Sequence, residues 1–408
     1  MAFVSVLALL GWAGWKVVSV KGEAAQVNQV VSVQITEGEH ASVDESKTAG
    51  YRNADEAARS RGVEQRSGKP LRVALVGDPQ VDNARELDFA RRSVIKELAG
   101  RKDIDLAVFL GDIVNDAPGL LTPMKQSLDS LPFPYCCIPG NHDDPDVFRS
   151  VFGYRDTSFI VRGIRFVLMD NSSGTLSAEQ KRNLSGYLGI KSARTVLCTH
   201  IPLKFCRDSS FETVTLQNDL LLVSAHLHRV FRETYQSGNE EISVGASCGS
   251  WWRGPLRDGI PYALMNCGAP RGYFIADFRR NGNYSLSYKA IGLPDREQAS
   301  LARTADSIFV NVWGGSPDAK VSLRARAGGR TIKRRCSLSH SVAPEVMEVI
   351  RTNSAAGAQW RKTHRDEFIP LRKISSSHLW SCPAEGEIGN VVIRYRDRRM
   401  KFKQHDKV

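Results

Sequence analysis

The chain contains 408 residues, a length that accommodates two or three domains. Hydrophobic residues make up 42% and charged residues 25% of it, which is the composition of a globular protein and excludes a wholly disordered chain. Eight cysteines occur without C-x-x-C pairs or zinc-finger spacing, so a zinc-finger protein is excluded. The net charge of +12 is unevenly distributed, because residues 300–408 contain 21 Lys and Arg against 10 Asp and Glu.

The N-terminal segment is strongly apolar. Residues 2–15 contain almost no polar side chain, and after Lys16 the apolar run continues to Val20. This length is typical of a signal-peptide core and short for a transmembrane helix, although no basic residue precedes the run. We therefore predict export, to the periplasm or outside the cell, with an uncleaved membrane anchor as the alternative. Residues 1–21 are assigned to this signal peptide or anchor, and 22–69 to a linker or short N-terminal β segment that includes a strand near Val30–Ile35.

Strand and helix patterns alternate over residues 70–138. An apolar run that ends at Asp78 predicts the first strand, and residues 105–112 and 135–138 predict two more. Between them, apolar residues at helical spacing predict a helix over residues 86–98, and a second helix is expected near residues 123–131. This β-α-β alternation is typical of a layered α/β fold.

A second sheet is predicted further along the chain. Residues 158–170 have the pattern of a hairpin with a tight Arg162-Gly163 turn. Ser177 is a plausible N-cap for the helix that follows. Strands leading to His200 and His228 come next, and residues 229–248 predict two antiparallel strands.

Five of the strand-like runs are followed by side chains that bind metals or transfer protons. Since ligands of open α/β sheets bind at the carboxyl ends of strands, these side chains are expected to converge. Carboxylate, amide and imidazole groups suit borderline divalent cations. The set comprises Asp78, Gln80, Asp112, Asn141, His142, Asp143, His200, His226 and His228.

The order and spacing of these motifs resemble the calcineurin-like metallophosphoesterases over about residues 70–290. Successive intervals along the series Asp78, Asp112, Asn141, His200 and His226 are 34, 29, 59 and 26 residues. Gln80 departs from the commonest family motif, which has His at this position. The resemblance implies an α/β fold, namely a four-layer α/β/β/α sandwich at residues 70–298. A subgroup of exported, mainly bacterial members also implies a C-terminal β-rich domain at residues 299–408.

The resemblance also implies two divalent metal ions and a water activated by them. His142 would stabilise or protonate the leaving oxygen of the substrate, and Asp143 would orient His142. Mn, Fe, Zn, Ni and Co all suit such a mixed nitrogen and oxygen site, and the sequence does not choose among them. The implied ligands of the first ion are Asp78, Gln80, Asp112 and His228, and those of the second are Asp112 as a bridge, Asn141, His200 and His226.

Adjacent tryptophans occur on a Gly- and Pro-rich loop that follows the two strands predicted for residues 229–248. Trp251, Trp252 and Arg253 are predicted to bind substrate, since aromatic and guanidinium groups can stack on a leaving group. A structural plug between the two domains is the alternative.

The C-terminal quarter carries +11 of the net charge and short strand-like runs near residues 307–313, 321–324 and 391–395. Alternation of Arg394, Arg396 and Arg398 predicts three guanidinium groups on one face of a terminal strand. We predict that this domain docks on an anionic membrane surface, whereas the chain has no nucleic-acid-binding motif. If the protein is exported, Cys336 and Cys382 are candidates for a disulfide.

Together these features predict metal-dependent hydrolysis of a phosphate ester, either a monoester or a diester. Two alternatives stay open. The first is a binding module with little or no catalysis that uses the Trp251-Trp252 loop and the basic domain, and the second is a metal-dependent nuclease. The sequence leaves the substrate and the oligomeric state undetermined.

Overall fold

The computed structural model describes residues 68–262, 264–327, 330–384 and 389–407. The predicted signal peptide or anchor, the strand near Val30–Ile35 and the linker up to residue 67 lie outside the described residues. Among those described, no helix has the length and apolar character required to cross a bilayer.

The first sheet has five strands in the order β13-β12-β1-β2-β3. Its first three strands along the chain are parallel, and the two late strands add antiparallel beside β1. The three predicted strands of residues 70–138 are thus confirmed, whereas the sequence reading had missed the two late strands. The bounds are β1 Leu71–Val76, β2 Leu106–Leu110, β3 Tyr135–Ile138, β12 Gly272–Phe278 and β13 Tyr284–Ala290.

The second sheet has six strands in the order β4-β5-β6-β7-β9-β8. The predicted hairpin is confirmed: Arg162 and Gly163 both have positive φ, at 48° and 81°, as a tight turn between twisted strands requires. Its inner strands run parallel, and a separate short hairpin, β10 Leu256–Arg257 with β11 Ile260–Pro261, follows. The bounds are β4 Thr157–Val161, β5 Ile164–Leu168, β6 Arg194–Cys198, β7 Leu220–Ser224, β8 Val230–Thr234 and β9 Glu240–Val244.

Four of the five helices within residues 84–216 begin at side-chain caps that the sequence supplies. Ser177 forms the predicted N-cap, and with Gln180 it makes a reciprocal capping box. The first helix, α1, includes a π-helical turn at Arg91–Ile95 between Ala84–Ala90 and Lys96–Ala99. The others are α2 Leu121–Asp129 after a 3₁₀ turn at Pro118–Leu120, α3 Pro145–Phe152, α4 Ala178–Gly189 and, after a 3₁₀ turn at Leu203–Phe205, α5 Ser209–Leu216.

The two sheets pack face to face, with helices on the outside. Phe166 of β5 meets Phe278 of β12 edge to face, with ring centroids 6.0 Å apart. Alternate residues of the second sheet point outward instead, so that Leu197 packs with Leu184 of α4 and Phe211 of α5. Helices α1 to α3 cover the first sheet as part of the central core. The predicted four-layer α/β/β/α arrangement is confirmed.

The C-terminal region forms one seven-stranded antiparallel sheet in the order β14-β15-β18-β17-β16-β19-β20. It curls toward closure, because the Gln404 side chain on β20 bonds both the N–H and the C=O of Ala299 on β14. The predicted β-rich domain is confirmed, but two helices between β17 and β18 were not expected. The bounds are β14 Ala299–Arg303, β15 Ser307–Val312, β16 Lys320–Ala327, β17 Arg330–Leu338, α6 Pro344–Ala355, α7 Gly357–Thr363, β18 Leu379–Pro383, β19 Asn390–Arg396 and β20 Lys401–Lys407.

Two predictions on this sheet need correction. Strand β19 is followed by β20, so it is not terminal, and Arg398 lies in the turn between them and not on the strand with Arg394 and Arg396. A salt bridge of 3.5 Å joins the Arg398 side chain to Glu240 of β9.

The candidate disulfide partners Cys336 and Cys382 lie on neighbouring strands, and both are free thiols in this structure.

Buried ion pairs join the C-terminal sheet to the second sheet. Arg232 of β8 is paired with Asp397 at 2.6 Å, and Arg399 donates to Glu240 of β9 at 2.9 Å. Because buried charges need partners to offset their desolvation, these pairs fix the β19–β20 turn against the second sheet.

Candidate metal centre

The predicted metal ligands follow the carboxyl ends of parallel strands in both sheets. Asp78 and Asp112 each lie two residues beyond β1 and β2, and Asn141 lies beyond β3. His200 and His226 each lie two residues beyond β6 and β7 of the second sheet. Backbone hydrogen bonds connect the rims of the two sheets, including one from the Cys248 N–H to the Asp78 carbonyl. The packing of the sheets therefore brings five separate loops to one place.

Left-handed backbone geometry is concentrated at this rim. Five of the seven predicted ligands have φ between 41° and 68°, a region that L-residues occupy infrequently and at an energetic cost. The left-handed backbone at His226 and His228 bends the chain beyond β7, where His226 lies beside His200 and His228 lies beside Asp78. The five residues are Asp78, Gln80, Asp112, His226 and His228.

One group of side chains has the spacing of ligands around a single ion. Nε2 of His200 lies 3.3 Å from Oδ2 of Asp112, 3.1 Å from Oδ1 of Asn141 and 3.2 Å from Nδ1 of His226. Atoms that each lie about 2.1 Å from one cation are about 3.0–3.4 Å from each other, so this group fits a metal ion. These are the four ligands that the family resemblance implied for the second ion.

The ring orientations of two histidines are fixed by backbone carbonyls. Nδ1 of His200 lies 2.8 Å from the Leu110 carbonyl, and Nδ1 of His228 lies 2.7 Å from the Gly249 carbonyl. Because Nδ1 then carries a hydrogen, Nε2 of each ring in its neutral form has a lone pair for a cation. This outer support is the usual arrangement for metal-binding histidine.

The remaining ligands form a looser group on the other side of Asp112. Oδ2 of Asp78 is fully buried, has no hydrogen-bond partner and lies 3.8 Å from Nε2 of His228. A buried carboxylate oxygen without a partner is costly, and a cation at this position would offset that cost. Gln80 directs Nε2 toward Asp112 at 3.4 Å and Asn115 at 3.2 Å, so its binding of a cation requires a half-turn of the amide.

Burial and neighbouring charges shift the pKa values of these ligands in opposite directions. Burial opposes the charged forms of Asp112 and His200, yet their mutual attraction dominates, so that the pKa of Asp112 falls to about 2 and that of His200 rises to about 9. Burial lowers the pKa of His226 and His228 to about 4. Burial also raises the pKa of Asp78 well above its ordinary value. A cation bound to His200 would therefore displace a proton, whereas His226 and His228 are neutral and ready to bind.

Two glycines are required for the close approach of these loops. A Cβ on Gly140 would lie 2.1 Å from Oδ1 of Asp112, and one on Gly111 would lie 2.6 Å from Nδ1 of His200. Such contacts are shorter than real Cβ atoms tolerate, so any other residue would displace a ligand. Gly111 additionally has φ of +89°, which glycine adopts without strain.

The predicted orienting role of Asp143 needs correction. Its carboxylate accepts hydrogen bonds from the backbone N–H groups of Gly140, Ile113 and Val114 at 2.8–3.0 Å. Asp143 therefore ties the two ligand loops together, and burial, followed by the charge of Asp112, raises its pKa to about 7. The carboxylate that faces His142 belongs to Asp116, with Oδ2 3.1 Å from Nδ1 of the ring.

His142 itself lies at the open edge of the site. Its side chain keeps 33% of its surface exposed, whereas Asp78 and Asp112 are buried. Its backbone N–H donates to Oδ1 of Asp112 at 3.0 Å, which holds the ring beside the metal-binding group. This placement suits a group that meets substrate from solvent.

The two tryptophans occupy different environments. Trp252 is buried, donates from Nε1 to the Pro79 carbonyl at 2.8 Å and lies under the Arg271 guanidinium. Its role is thus packing within residues 70–298, and these contacts do not make it a plug between the two domains. Trp251 is half-buried and stacks on His228 with ring centroids 4.6 Å apart, while Arg253 is also half-buried. Substrate contact by Trp251 and Arg253 stays a prediction.

The sequence reading missed several supporting residues. Asp116 lies four positions after Asp112 in the same loop, and that proximity was its available signal. Asn171 accepts from the backbone N–H groups of His200 and Ile201 and so shapes the His200 turn. Its signal was its position just beyond β5, where polar residues at other strand ends had been noted.

Two family models match this chain, and together they span residues 71–400. The model described as calcineurin-like phosphoesterase matches residues 71–244, which include every predicted metal ligand. The model described as the C terminal of calcineurin-like phosphoesterase matches residues 241–400.

Individual relatives are more distant. A probable cyclic nucleotide phosphodiesterase of Fibrobacter succinogenes is 25% identical over 138 residues, which are 32% of this chain and 54% of that protein. The match thus spans about half the length of this curated relative. Among solved structures, a dimetal phosphatase from Danio rerio is 14% identical, with a TM-score of 0.39, and covers 59% of this chain and 95% of its own. A 5'-nucleotidase from Candida albicans is 11% identical, with a TM-score of 0.29, and covers 54% of this chain and 52% of its own.

Proposed function

Because the chain belongs to the calcineurin-like phosphoesterase family, we propose that it is a metal-dependent hydrolase of phosphate esters. The observation that carries this proposal is the convergence of Asp112, Asn141 and His226 on Nε2 of His200 at 3.1–3.3 Å. A binding module without catalysis would not need this arrangement, since strained and buried ligands are costly to maintain without a reaction to serve.

Two divalent ions are proposed, with the first held by Asp78, Gln80, Asp112 and His228, and the second by Asp112, Asn141, His200 and His226. Mn, Fe, Zn, Ni and Co are the candidates, because each accepts a mixed nitrogen and oxygen set. When bound, such ions polarise phosphoryl oxygens and lower the pKa of an attacking water.

His142 and Asp116 are proposed to act on the leaving oxygen. Oδ2 of Asp116 accepts a hydrogen bond from Nδ1–H of His142, which orients the ring and leaves Nε2 free of that hydrogen bond. Because His142 is exposed beside buried metal ligands, it can reach a substrate oxygen without leaving its own hydrogen bonds. The expected contribution of such proton transfer is about 10²–10⁴ in rate.

The proposed substrate class is a phosphodiester. The Fibrobacter relative is named a probable cyclic nucleotide phosphodiesterase, which makes cyclic nucleotides the first natural diesters to test. Trp251, on the ring of His228, and Arg253 beside it are proposed to contact the leaving group by stacking and charge.

The decisive experiment measures hydrolysis by the purified chain after removal and return of metal. We expect hydrolysis of bis-p-nitrophenyl phosphate, p-nitrophenyl phosphate or 3',5'-cyclic AMP with added Mn, and its loss with a chelator. Asn141→Ala should lose activity together with bound metal, whereas Asn183→Ala, an exposed amide on α4, should keep both. Inactivity with all five metals on a broad panel of phosphate mono- and diesters, including DNA, would overturn the proposal.

Export of the protein is also proposed, on the strength of the apolar residues 2–20. A reporter enzyme that is active only outside the cytoplasm, fused after residue 69, should become active. Removal of residues 2–20 should abolish that activity, and an unchanged signal would contradict export.

A further inference from the structure

The outer face of the C-terminal sheet is lined by basic side chains across four neighbouring strands. Strand pairing places Lys320 of β16 opposite Arg396 of β19, and Arg396 opposite Lys401 of β20. The next row along the same strands pairs Arg394 with Lys403. Residues directly opposite each other in antiparallel strands point to the same face, and all five of these side chains are exposed.

The face continues onto β17. Arg324 of β16 lies opposite Lys333, and Arg335 lies opposite Ser322, which is itself paired with Arg394. At the described positions of this face on these four strands, the other residues are Ser, Thr, Val, Asn, His and one more Lys, and no carboxylate is present. We call these aligned Lys and Arg residues of β16, β17, β19 and β20 the basic face.

This arrangement is costly for the isolated domain. Four pairs of like charges lie directly opposite each other, at Lys320/Arg396, Arg396/Lys401, Arg394/Lys403 and Arg324/Lys333, and such pairs destabilise a sheet. Within the described part of the chain, none of these side chains makes a salt bridge to a carboxylate. The inner face of the same strands is an ordinary apolar core that includes Leu323 and Ile393. An anionic partner would offset the repulsion.

The shape of the face selects among anionic partners. Strand spacings give it a breadth of about 14 Å and a length of about 20 Å, and it is built from extended strands and not from a helix of the kind that enters the major groove. The described positions of the face also carry no Phe, Tyr or Trp side chain on which bases could stack. A broad surface of flexible cations instead matches the headgroup layer of an anionic bilayer.

We propose that the basic face docks this protein on anionic phospholipid membranes, independently of its metal centre. The apolar N-terminal residues 2–20 are consistent with this partner, because both of their predicted roles bring the chain to a membrane. One anchoring element of modest strength combined with a polybasic surface is the usual requirement for stable membrane attachment.

The test compares flotation of the full chain with vesicles of 30% phosphatidylglycerol in phosphatidylcholine and with pure phosphatidylcholine vesicles. The test variant combines Arg394→Gln, Arg396→Gln, Lys401→Gln and Lys403→Gln. The matched control combines Lys102→Gln, Arg182→Gln, Lys191→Gln and Arg280→Gln, which remove the same charge from exposed positions elsewhere.

The quantity compared is the ratio of anionic to neutral partitioning, because the apolar segment contributes to both vesicles. At about 0.05 M salt we expect this ratio to fall roughly fivefold per removed charge, and so several hundredfold for the test variant. The control should change it only slightly. The melting temperature of the test variant should be at least that of the parent, because like-charge pairs are removed.

Three results would overturn the proposal. The first is an unchanged ratio for the test variant, and the second is an equal fall for the control, which would mean net charge and not the face is responsible. The third is binding of duplex DNA at the same salt that is tighter than vesicle binding and is lost in the test variant, since that would assign the face to nucleic acid.

Discussion

The metal centre and the basic face both concentrate charge, but they use opposite backbone conformations and opposite environments. At the metal centre, acidic and imidazole groups are largely buried and lie on left-handed turns at strand ends. On the basic face, like charges lie in water on regular extended strands. The first arrangement is stabilised by attraction within the protein and would be stabilised further by the proposed cations, whereas the second needs screening or an external anion.

This difference predicts which conditions each region responds to. Buried charges are shielded from dissolved salt, so the metal centre should respond to chelators and to changes of single ligands. Exposed charges within a Debye length of each other respond to ionic strength instead. Variants in either region can therefore be used to separate the two.

The largest expected effect is at the bridge between the two proposed ion positions. Asp112→Asn should reduce metal content by at least one ion and lower kcat by about 10³-fold or more, because it removes the charge shared by both sites. Elemental analysis together with p-nitrophenyl ester hydrolysis measures both. Asp219→Asn, which removes an exposed carboxylate, is the control. Full metal content in the Asp112 variant would contradict the bridging role.

The next effect separates catalysis from metal binding. His142→Ala should keep its metal content and lose about 10²–10³ in kcat, since the ring acts on substrate and not on the ions. Asp116→Asn should cause a smaller loss of kcat with metal content kept, because Oδ2 of Asp116 lies 3.1 Å from Nδ1 of His142 and orients the ring. Loss of metal from the His142 variant would refute this division of roles.

Asp143 provides a structural counterpart. Asp143→Asn should lower the free energy of unfolding by about 1–3 kcal/mol, because the new amide NH₂ would face backbone N–H donors that the carboxylate now accepts. Urea denaturation of the metal-free protein measures this. If the variant keeps its stability but loses turnover as His142→Ala does, Asp143 acts on the reaction after all.

A smaller effect concerns the joint between the two regions. Hydrogen bonds from Arg399 and Tyr284 outweigh burial and lower the pKa of Glu240. Its stabilising contribution is therefore present above the ordinary carboxyl pKa of about 4.5 and is lost as pH falls below that value. Glu240→Gln should cost about 1–2 kcal/mol at pH 7 and progressively less below pH 4.5, as measured by thermal melting. A cost independent of pH would argue against the ionised pair.

The smallest effect is on the basic face. Raising the salt concentration from about 0.02 to 0.3 M should increase the melting temperature by a few degrees, because screening weakens repulsion among the opposed cations. The melting temperature of the variant that combines Arg394→Gln, Arg396→Gln, Lys401→Gln and Lys403→Gln should depend less on salt concentration. An equal dependence in both proteins would show that repulsion across this face contributes little to stability.

The sequence by itself determined those features that depend on near neighbours along the chain. Period-two patterns predicted the strands and the shared face of Arg394 and Arg396, and the Arg162-Gly163 turn and Ser177 cap predicted their local conformations. The spacing of the strand-end motifs identified the set of candidate ligands, because parallel strands present their carboxyl ends at one rim.

Tertiary structure alone decided which side chains meet, because those contacts join residues that are distant in the chain. His226 reaches Asp78 across 148 positions through a left-handed turn that no local pattern demands. Three other contacts also depend on the tertiary structure. Asp116, and not Asp143, faces His142, and Trp252 is buried under Arg271. Arg398 forms a salt bridge with Glu240. In each case the tertiary arrangement of strands and loops selected one partner among several that local chemistry allowed.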